Sequence, residues 1–101
     1  MEYWYYLYRP PNAHDALLEN RLRHLPPLAQ IGAQDEVFAH LGLDPNASIG
    51  FAGQQWFVYD QTRYSARWHE VDEPAVRAAL GRRDYGIVSE RDGIVVLRKR
   101  D

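Results

Sequence analysis

The stretch YGIVSERDGIVVLRK, residues 85–99, decides the fold because it predicts a β-hairpin. Two runs rich in valine and isoleucine flank Asp92-Gly93, and an Asp-Gly pair between such runs is a strong hairpin signal. Consecutive residues of both runs are apolar, so apolar side chains point to both faces of the ribbon. We therefore expect at least part of the hairpin to be covered on both sides by the rest of the domain.

The register of this hairpin follows from which side chains would face each other. A three-residue loop at residues 91–93, with its glycine left-handed, sets Val88 opposite Val96. The same loop sets Ile87 opposite Leu97. A two-residue loop would place an isoleucine opposite an arginine. We favour the three-residue loop because it pairs apolar with apolar on both faces.

On the N-terminal side of the hairpin, segments with helical and with extended patterns alternate. Proline, glycine or aspartate residues separate these segments. The pattern predicts helices over residues 12–25, 35–41 and from 72 onward, strands over 28–33, 48–52 and 56–60, and a loop over 61–70. Asn12, Asp35 and Asp72 are the expected helix N-caps. Strand, helix and strand with short connections indicate a parallel βαβ unit. The predicted fold class is α/β (α+β): a small mixed sheet of about five strands with two to three helices, ending in a helix and then the β-hairpin.

The N-terminus is almost wholly aromatic, with YWYYLY at residues 3–8. Aromatic residues favour strands, so one interpretation of residues 1–11 is a strand with both faces partly buried. Tyrosine and tryptophan also concentrate where a membrane meets water, which would make these residues a membrane-proximal segment. A third interpretation is a strand that joins copies of the chain into a homo-oligomer through residues 3–8.

Composition restricts the class of protein. A chain of 101 residues with 46% hydrophobic and 26% charged residues fits one globular domain, residues 1–101. A net charge of −2 argues against a general nucleic-acid binder, which usually carries a basic face. The chain has no cysteine, which excludes disulfides, thiolate zinc sites and cysteine nucleophiles. No apolar run approaches the roughly 18 residues that span a bilayer, so the chain is expected to be soluble.

Motifs for cofactors and metals are absent from the sequence. The four histidines have no metal-ligand spacing, and no Asp or Glu pattern completes a site. The glycines at positions 50 and 53 are too few for a dinucleotide fingerprint, and no serine lies in a nucleophile elbow. The sequence therefore predicts no metal and no cofactor.

Three residues are weak candidates for catalysis. Asp60 ends the predicted strand 56–60, and Asp35 follows the strand 28–33. If the two strands are parallel, both carboxylates lie beyond the same edge of the sheet, where α/β proteins bind ligands. Two carboxylates there suit acid–base chemistry or a hard cation. His40 lies on the helix between the strands. The alternatives are a helix cap for Asp35, a turn-forming acid for Asp60 and a structural histidine.

The sequence also resembles a known family. The run GAQDEVFAHL at residues 32–41, the strand end VYD at 58–60, and the segments RDYGIV at 83–88 and DGIVVLR at 92–98 carry the resemblance. They are similar to the C-terminal soluble portion of a family of predicted polytopic bacterial membrane proteins of unknown function. The N-terminal part of that family resembles membrane-embedded, lipid-linked-sugar glycosyltransferases. The similarity covers roughly residues 22–99.

The resemblance implies an accessory domain, because the glycosyltransferase-like acidic residues would lie in the membrane part, and none transfers to this chain. The first functional hypothesis is therefore a non-catalytic accessory or binding domain, held at the membrane by its parent protein and partnered by that protein's membrane-embedded part. The second is a small stand-alone, cytoplasmic enzyme that uses Asp35 and Asp60. The third is an oligomerising module that uses residues 3–8.

Overall fold

The computed structural model describes residues 13–41, 44–63 and 65–100. Within these ranges a sheet lies between helices, and each element is short. The helices are α1 (Ala13–Arg23), α2 (Asp35–Phe38) and α3 (Glu73–Gly81), and the strands are β1 (Ile31–Ala33), β2 (Ala47–Ile49), β3 (Trp56–Asp60), β4 (Tyr85–Arg91) and β5 (Ile94–Lys99). A 3₁₀ turn, Ala39–Leu41, extends α2, and a π-helical turn, Trp68–Asp72, precedes α3.

The five strands form one mixed sheet in the order β2-β1-β3-β5-β4. Strand β1 runs parallel to both β2 and β3, and β5 runs antiparallel to β3 and β4. The predicted parallel βαβ unit is therefore confirmed as β1, α2 and β2. The predicted fold class is confirmed as well, including the closing order of helix and hairpin.

The core lies on both faces of the sheet because β3 and β5 send consecutive apolar side chains to opposite sides. Helices α1 and α2 cover one face, and α3 with the preceding π-helical turn covers the other. The first face buries Leu18, Ala33, Val37, Val58, Ile94 and Val96. The second buries Phe57, Tyr59, Trp68, Val76, Ala79, Tyr85, Val95 and Leu97. The expected two-sided cover of the hairpin thus holds for β5.

The hairpin turn has two residues, where three were predicted. Asp92 (φ +55°) and Gly93 (φ +84°) both have positive φ, as the two central residues of a type I′ turn do. Such a turn twists in the same sense as the strands that it joins. Aspartate tolerates this backbone region and glycine enters it without steric cost, which explains the Asp-Gly pair.

The predicted register is right at one pair and wrong at the other. Ile87 lies opposite Leu97, as expected, but Val96 faces Ser89 and not Val88. The register shifts between Ile87 and Ser89, which makes Val88 the extra residue of a β-bulge. The bulge inserts one residue into β4, so a two-residue turn coexists with the Ile87–Leu97 pair.

Residues 61–70 are not wholly a loop, because the chain turns helical at residue 66. The reason is Trp68, which is buried and stacks on Tyr59 with ring centroids 4.7 Å apart and on Phe57 at 6.2 Å. The indole packs against the sheet from this helical turn, although the local sequence lacks a helical apolar period.

Asp72 is not the N-cap of α3, as the sequence predicted. It has helical φ and ψ (−80°, −42°) and makes no capping bond, because the π-helical turn runs directly into α3. Its buried carboxylate instead accepts the backbone N–H of Phe51 at 3.3 Å and forms an ion pair with Arg67 at 3.3 Å. Asp72 therefore joins the turn to the loop that follows β2.

Other predicted boundaries shift for local reasons. The first strand begins at Ile31 rather than 28, since Leu28 has φ +67° and is 88% exposed. The strand predicted over 48–52 ends at Ile49, because Gly50 (φ +92°) turns the chain. Gln34, not Asp35, takes the N-cap position of α2. The aromatic segment 1–11 and the expected cap at residue 12 lie outside the described residues.

Candidate functional site

The candidate site is built around Asp60, the last residue of β3. The side chain of Asp60 has no solvent exposure. Its Oδ1 accepts the backbone N–H of Thr62 at 2.9 Å and the Thr62 hydroxyl at 2.7 Å. This is the usual bond of an aspartate to the backbone two residues on, which turns the chain sharply at the strand end. A buried carboxylate is thus held at the carboxyl edge of the sheet.

His14, in the first turn of α1, lies between two carboxylates. Its Nε2 is 2.6 Å from Asp60 Oδ2, and its Nδ1 is 2.8 Å from Asp92 Oδ2 in the hairpin turn. Since both neighbours are carboxylates, the geometry favours the imidazolium form, in which both ring nitrogens donate. The bond to Asp60, and then the bond to Asp92, raise the pKa of His14 above its ordinary value.

The pKa of Asp60 is the result of opposing effects. Burial by itself raises the pKa of this carboxyl. Hydrogen bonds from Thr62 and from His14 favour the charged form and outweigh burial, so the net pKa lies below the ordinary value for aspartate. Asp60 is therefore a buried carboxylate that stays charged because hydrogen-bond donors surround it.

Arg63 supplies a second cation. Its Nε lies 3.2 Å from Asp60 Oδ2, and one terminal guanidinium nitrogen lies 2.7 Å from Asp15 Oδ1 on α1. The loop after β3 is thereby tied to the first turn of α1 through two ion pairs. Asp15, Arg63, Asp60, His14 and Asp92 form one alternating chain of charges, which we call the His14 network.

The His14 network contains a hydroxyl, a histidine and a carboxylate in contact. The Thr62 Oγ1 is 3.1 Å from His14 Nε2, and His14 Nδ1 faces Asp92. Nucleophilic catalysis needs a neutral imidazole that accepts the hydroxyl proton. In this network the hydroxyl donates to Asp60, and the imidazolium has no free lone pair. The arrangement holds charges together and is not set up to move a proton.

Asp35 and Asp60 follow parallel neighbouring strands and lie at the same edge, as the sequence suggested. Their partners differ, however. Asp35 Oδ1 accepts the Ser65 hydroxyl at 2.8 Å. Between them lies the buried Gln34, whose Oε1 accepts the Asp60 backbone N–H at 2.7 Å. The two carboxylates thus belong to separate networks, and joint acid–base chemistry by this pair stays a prediction.

His40, the third candidate, lies in the 3₁₀ turn after α2, and its Nδ1 is 3.5 Å from Glu19 Oε1 on α1. It lines an open groove of about 440 Å³ between the end of α1 and this turn, together with Leu22, Leu25 and Leu41. It bonds to neither Asp35 nor Asp60, so the structure does not assemble the three candidates into one centre.

Sequence reasoning missed His14 because its partners are distant along the chain. Asp60 lies 46 residues away and Asp92 lies 78 residues away. No local pattern marks a histidine that pairs across a fold. The one available signal was Asp60 itself, an acid at the end of an otherwise apolar strand that needs a charged partner when buried.

Within residues 13–41, 44–63 and 65–100, no three histidine, aspartate or glutamate side chains are grouped so that they could hold a metal ion. In the same part of the chain, no helix has the length and hydropathy needed to cross a bilayer. Comparison with family models, with curated proteins and with solved structures gave no significant match. Function must therefore be inferred from the residues of this chain.

Proposed function

We propose that this chain is a non-catalytic accessory or binding domain of a membrane protein. The observation that carries the non-catalytic part is the position of His14 between Asp60 and Asp92. Two carboxylates hold both ring protons, so the best-placed acid–base group at the carboxyl edge is committed to the fold. Asp60 is likewise charged, buried and surrounded by donors.

The accessory and membrane-protein part has a different support. It rests on the resemblance of residues 22–99 to the C-terminal portion of predicted polytopic membrane proteins. In such a protein the membrane-embedded part would be the natural partner of this domain. An exposed edge strand with an apolar and basic surface, described below, supports a binding role because exposed surfaces of this kind are used in interactions.

The protonation state of His14 tests the non-catalytic part directly. Nitrogen-15 NMR of the imidazole at pH 7 should show both ring nitrogens of His14 protonated. A neutral tautomer with a free Nε2 at this pH would contradict the proposal, because that nitrogen could then take a proton from Thr62. The matched variant Thr62→Val, which removes the hydroxyl, should leave the protonation of His14 unchanged.

The proposal that this domain belongs to a membrane protein can be tested in the cell. An epitope tag fused after residue 101 at the native locus should detect a product much larger than 101 residues. That product should remain in the membrane fraction after washing at high salt and alkaline pH. A tagged product of about the length of this chain, found in the supernatant without washing, would contradict it.

A further inference from the structure

Strand β4 is an edge of the sheet with seven residues, Tyr85–Arg91. In the described ranges it pairs with β5 alone. The outer edge of such a strand presents a row of backbone N–H and C=O groups, which is a template for a further strand. The other edge strand, β2, has only three residues and offers a much shorter template.

The exposed apolar surface of β4 lies at its middle. Ile87 and Val88 are 54% and 56% exposed, although they are consecutive residues of a strand. The bulge at Val88 explains this, because the extra residue has no partner on β5 and stands off the sheet. Both residues line a shallow groove of about 300 Å³.

Three cations, Arg98, Lys99 and Arg100, line the same groove. Arg98 lies opposite Gly86 of β4, and the absence of a side chain at Gly86 makes room for a neighbour. The guanidinium of Arg100 lies 3.4 Å from the position that a β-carbon would take at Gly86. Glycine thus lets the cation approach the backbone of the edge strand.

The cations flank both faces of the first half of β4. Lys99 lies opposite Tyr85. Arg98 lies on the other face of the sheet, because the side chains of neighbouring strand residues point to opposite faces. The guanidinium of Arg98 packs over the Trp56 ring of β3 at 5.6 Å, and Nζ of Lys99 lies 3.4 Å from the Gly53 carbonyl oxygen, so both charged groups lean toward β3, whereas the Arg100 guanidinium lies beside Gly86 of β4. None of Arg98, Lys99 and Arg100 forms an ion pair with an acid in the described residues. The basic surface therefore stands out on a chain whose net charge is −2.

We propose that the outer edge of β4 binds an extended, acidic peptide segment of a protein partner as an added strand. The proposal rests on the binding role proposed above and names the class of partner. The backbone of β4 would pair with the backbone of the segment, and Ile87 and Val88 would contact its apolar side chains. Its acidic side chains would meet the Arg100 guanidinium beside Gly86, and the more distant charges of Arg98 and Lys99 would add to the attraction.

Two other occupants fit these observations less well. A second copy paired about a two-fold axis would bring a second bulge and a second set of the same cations to the edge, whereas a peptide brings neither. An anionic lipid surface would satisfy the cations, but the hydrocarbon beneath the headgroups offers no partners for the backbone groups of an edge strand. A peptide satisfies the backbone, the charges and the apolar contact together.

The test is fluorescence anisotropy with a labelled ten-residue peptide that alternates glutamate and valine. The whole chain should bind this peptide, and binding should weaken as salt is added. The same peptide with lysine in place of glutamate should not bind. A peptide of the acidic sequence that is N-methylated at every second residue keeps the charge but cannot pair as a strand, so it should lose about tenfold or more in affinity.

Variants identify the surface. Exposed Arg100 changed to glutamate (Arg100→Glu) should weaken binding of the acidic peptide about tenfold, and Lys99→Glu should weaken it less because the Lys99 ammonium group lies near the Gly53 carbonyl. The matched control is Arg23→Glu at the end of α1, an exposed arginine that lines a groove with Ile31 of β1, which β3 and β5 separate from β4; it should bind as the wild type does. Circular dichroism checks that each variant is folded.

Three results would overturn the proposal. One is equal affinity for the N-methylated peptide, which would show simple charge attraction. Another is a dimer in sedimentation that Val88→Asp dissociates, which would assign the edge to a second copy. The third is binding to phosphatidylserine vesicles through Arg100 without binding of the acidic peptide. None of these depends on the size or membrane retention of the tagged product, so the two proposals fail separately.

Discussion

The Nε2 of His14 lies 2.6 Å from Oδ2 of Asp60, which joins the first turn of α1 to the buried end of β3. The bond crosses between the helix layer and the sheet at a point where the core is polar. Asp92, on the other side of the imidazole, adds the hairpin turn to the same bond network. Three elements that are distant along the chain are thereby held by one side chain.

Replacing Asp60 with asparagine should destabilise the domain strongly. Asp60→Asn keeps the shape but removes the buried charge that His14 and Arg63 share, and although Asp92 and Asp15 remain as their partners, the loss of these charged hydrogen bonds should cost about 2 kcal/mol. The matched control is Asp84→Asn, since Asp84 forms an exposed pair with Arg82 at 2.9 Å. Its free energy of unfolding should change by less than about 1 kcal/mol. Urea denaturation measures both, and equal losses would contradict a special role for Asp60.

Stability should fall at alkaline pH because of His14. The pKa of His14 is raised in the folded state, so the contribution of its ion pairs is complete below about pH 6.5. It is lost as the pH rises through the raised pKa. His14→Gln should remove this part of the pH dependence of the unfolding free energy. If the two proteins show parallel curves between pH 6 and 9, His14 does not titrate as the geometry requires.

The acid side of the profile should depend on Asp60, with the opposite sign. The pKa of Asp60 is lowered on folding, so its contribution is present above the unfolded value of about 3.8 and is lost as the pH falls through the folded pKa. Acid unfolding of Asp60→Asn should therefore be less steep below about pH 4 than that of the wild type. A steeper acid limb in the variant would contradict this sign.

The hairpin turn should not tolerate alanine at Gly93. Gly93 has φ +84°, and a β-carbon there would lie 2.8 Å from Thr62 Cγ2. Gly93→Ala should cost about 1–2 kcal/mol from the backbone alone, and more if Thr62 shifts within the His14 network. Gly81→Ala at the end of α3 is the control, because a β-carbon there meets nothing within 4 Å. It should leave stability unchanged or raise it by up to about 1 kcal/mol in thermal unfolding.

Gly32 and Gln54 should show coupled effects. The Gln54 side chain fills the space beside Gly32, where a β-carbon would lie 2.4 Å from Gln54 Cδ. Gln54 donates to Ser48 and to the Gly50 carbonyl, and it accepts the Ala52 N–H. Gly32→Ala and Gln54→Ala should each cost about 2 kcal/mol. The double variant should cost less than their sum by about 1 kcal/mol or more, because the new methyl group enters the space that glutamine leaves. Strict additivity would contradict this contact.

Prediction from sequence succeeds in this protein where a pattern is local. The Asp-Gly pair between two apolar runs was sufficient for the hairpin, and Asp60 was correctly placed at a strand end. Prediction failed where a distant contact overrides local preference. Trp68 lies in a helical turn and stacks on Tyr59 and Phe57 of β3, and no local pattern predicts this contact. The bulge at Val88 likewise depends on how β4 lies against β5.

The candidate site shows the same division. Asp35 and Asp60 were found from sequence because each follows an apolar strand, and parallel strands bring their ends to one edge. Neither the pairing of Asp60 with His14 nor the separate bond of Asp35 to Ser65 has a local signal, since both join residues at least 30 positions apart. A charged residue is easily located in a sequence, but its partner depends on how the helices pack against the sheet.

The amino-acid sequence by itself determined the fold class, the βαβ unit and the closing hairpin, because apolar period, turn residues and backbone preference act over a few neighbouring residues. Only the tertiary structure decided the register of β4, the protonation of His14 and the exposed basic edge beside Gly86. The contacts of His14 depend on distances between elements far apart in the chain, and the register of β4 depends on how its side chains pack against β5. Electrostatic and packing energies are functions of such distances, which a local pattern does not specify. The hairpin that the sequence marked as structural thus also carries the surface proposed for binding.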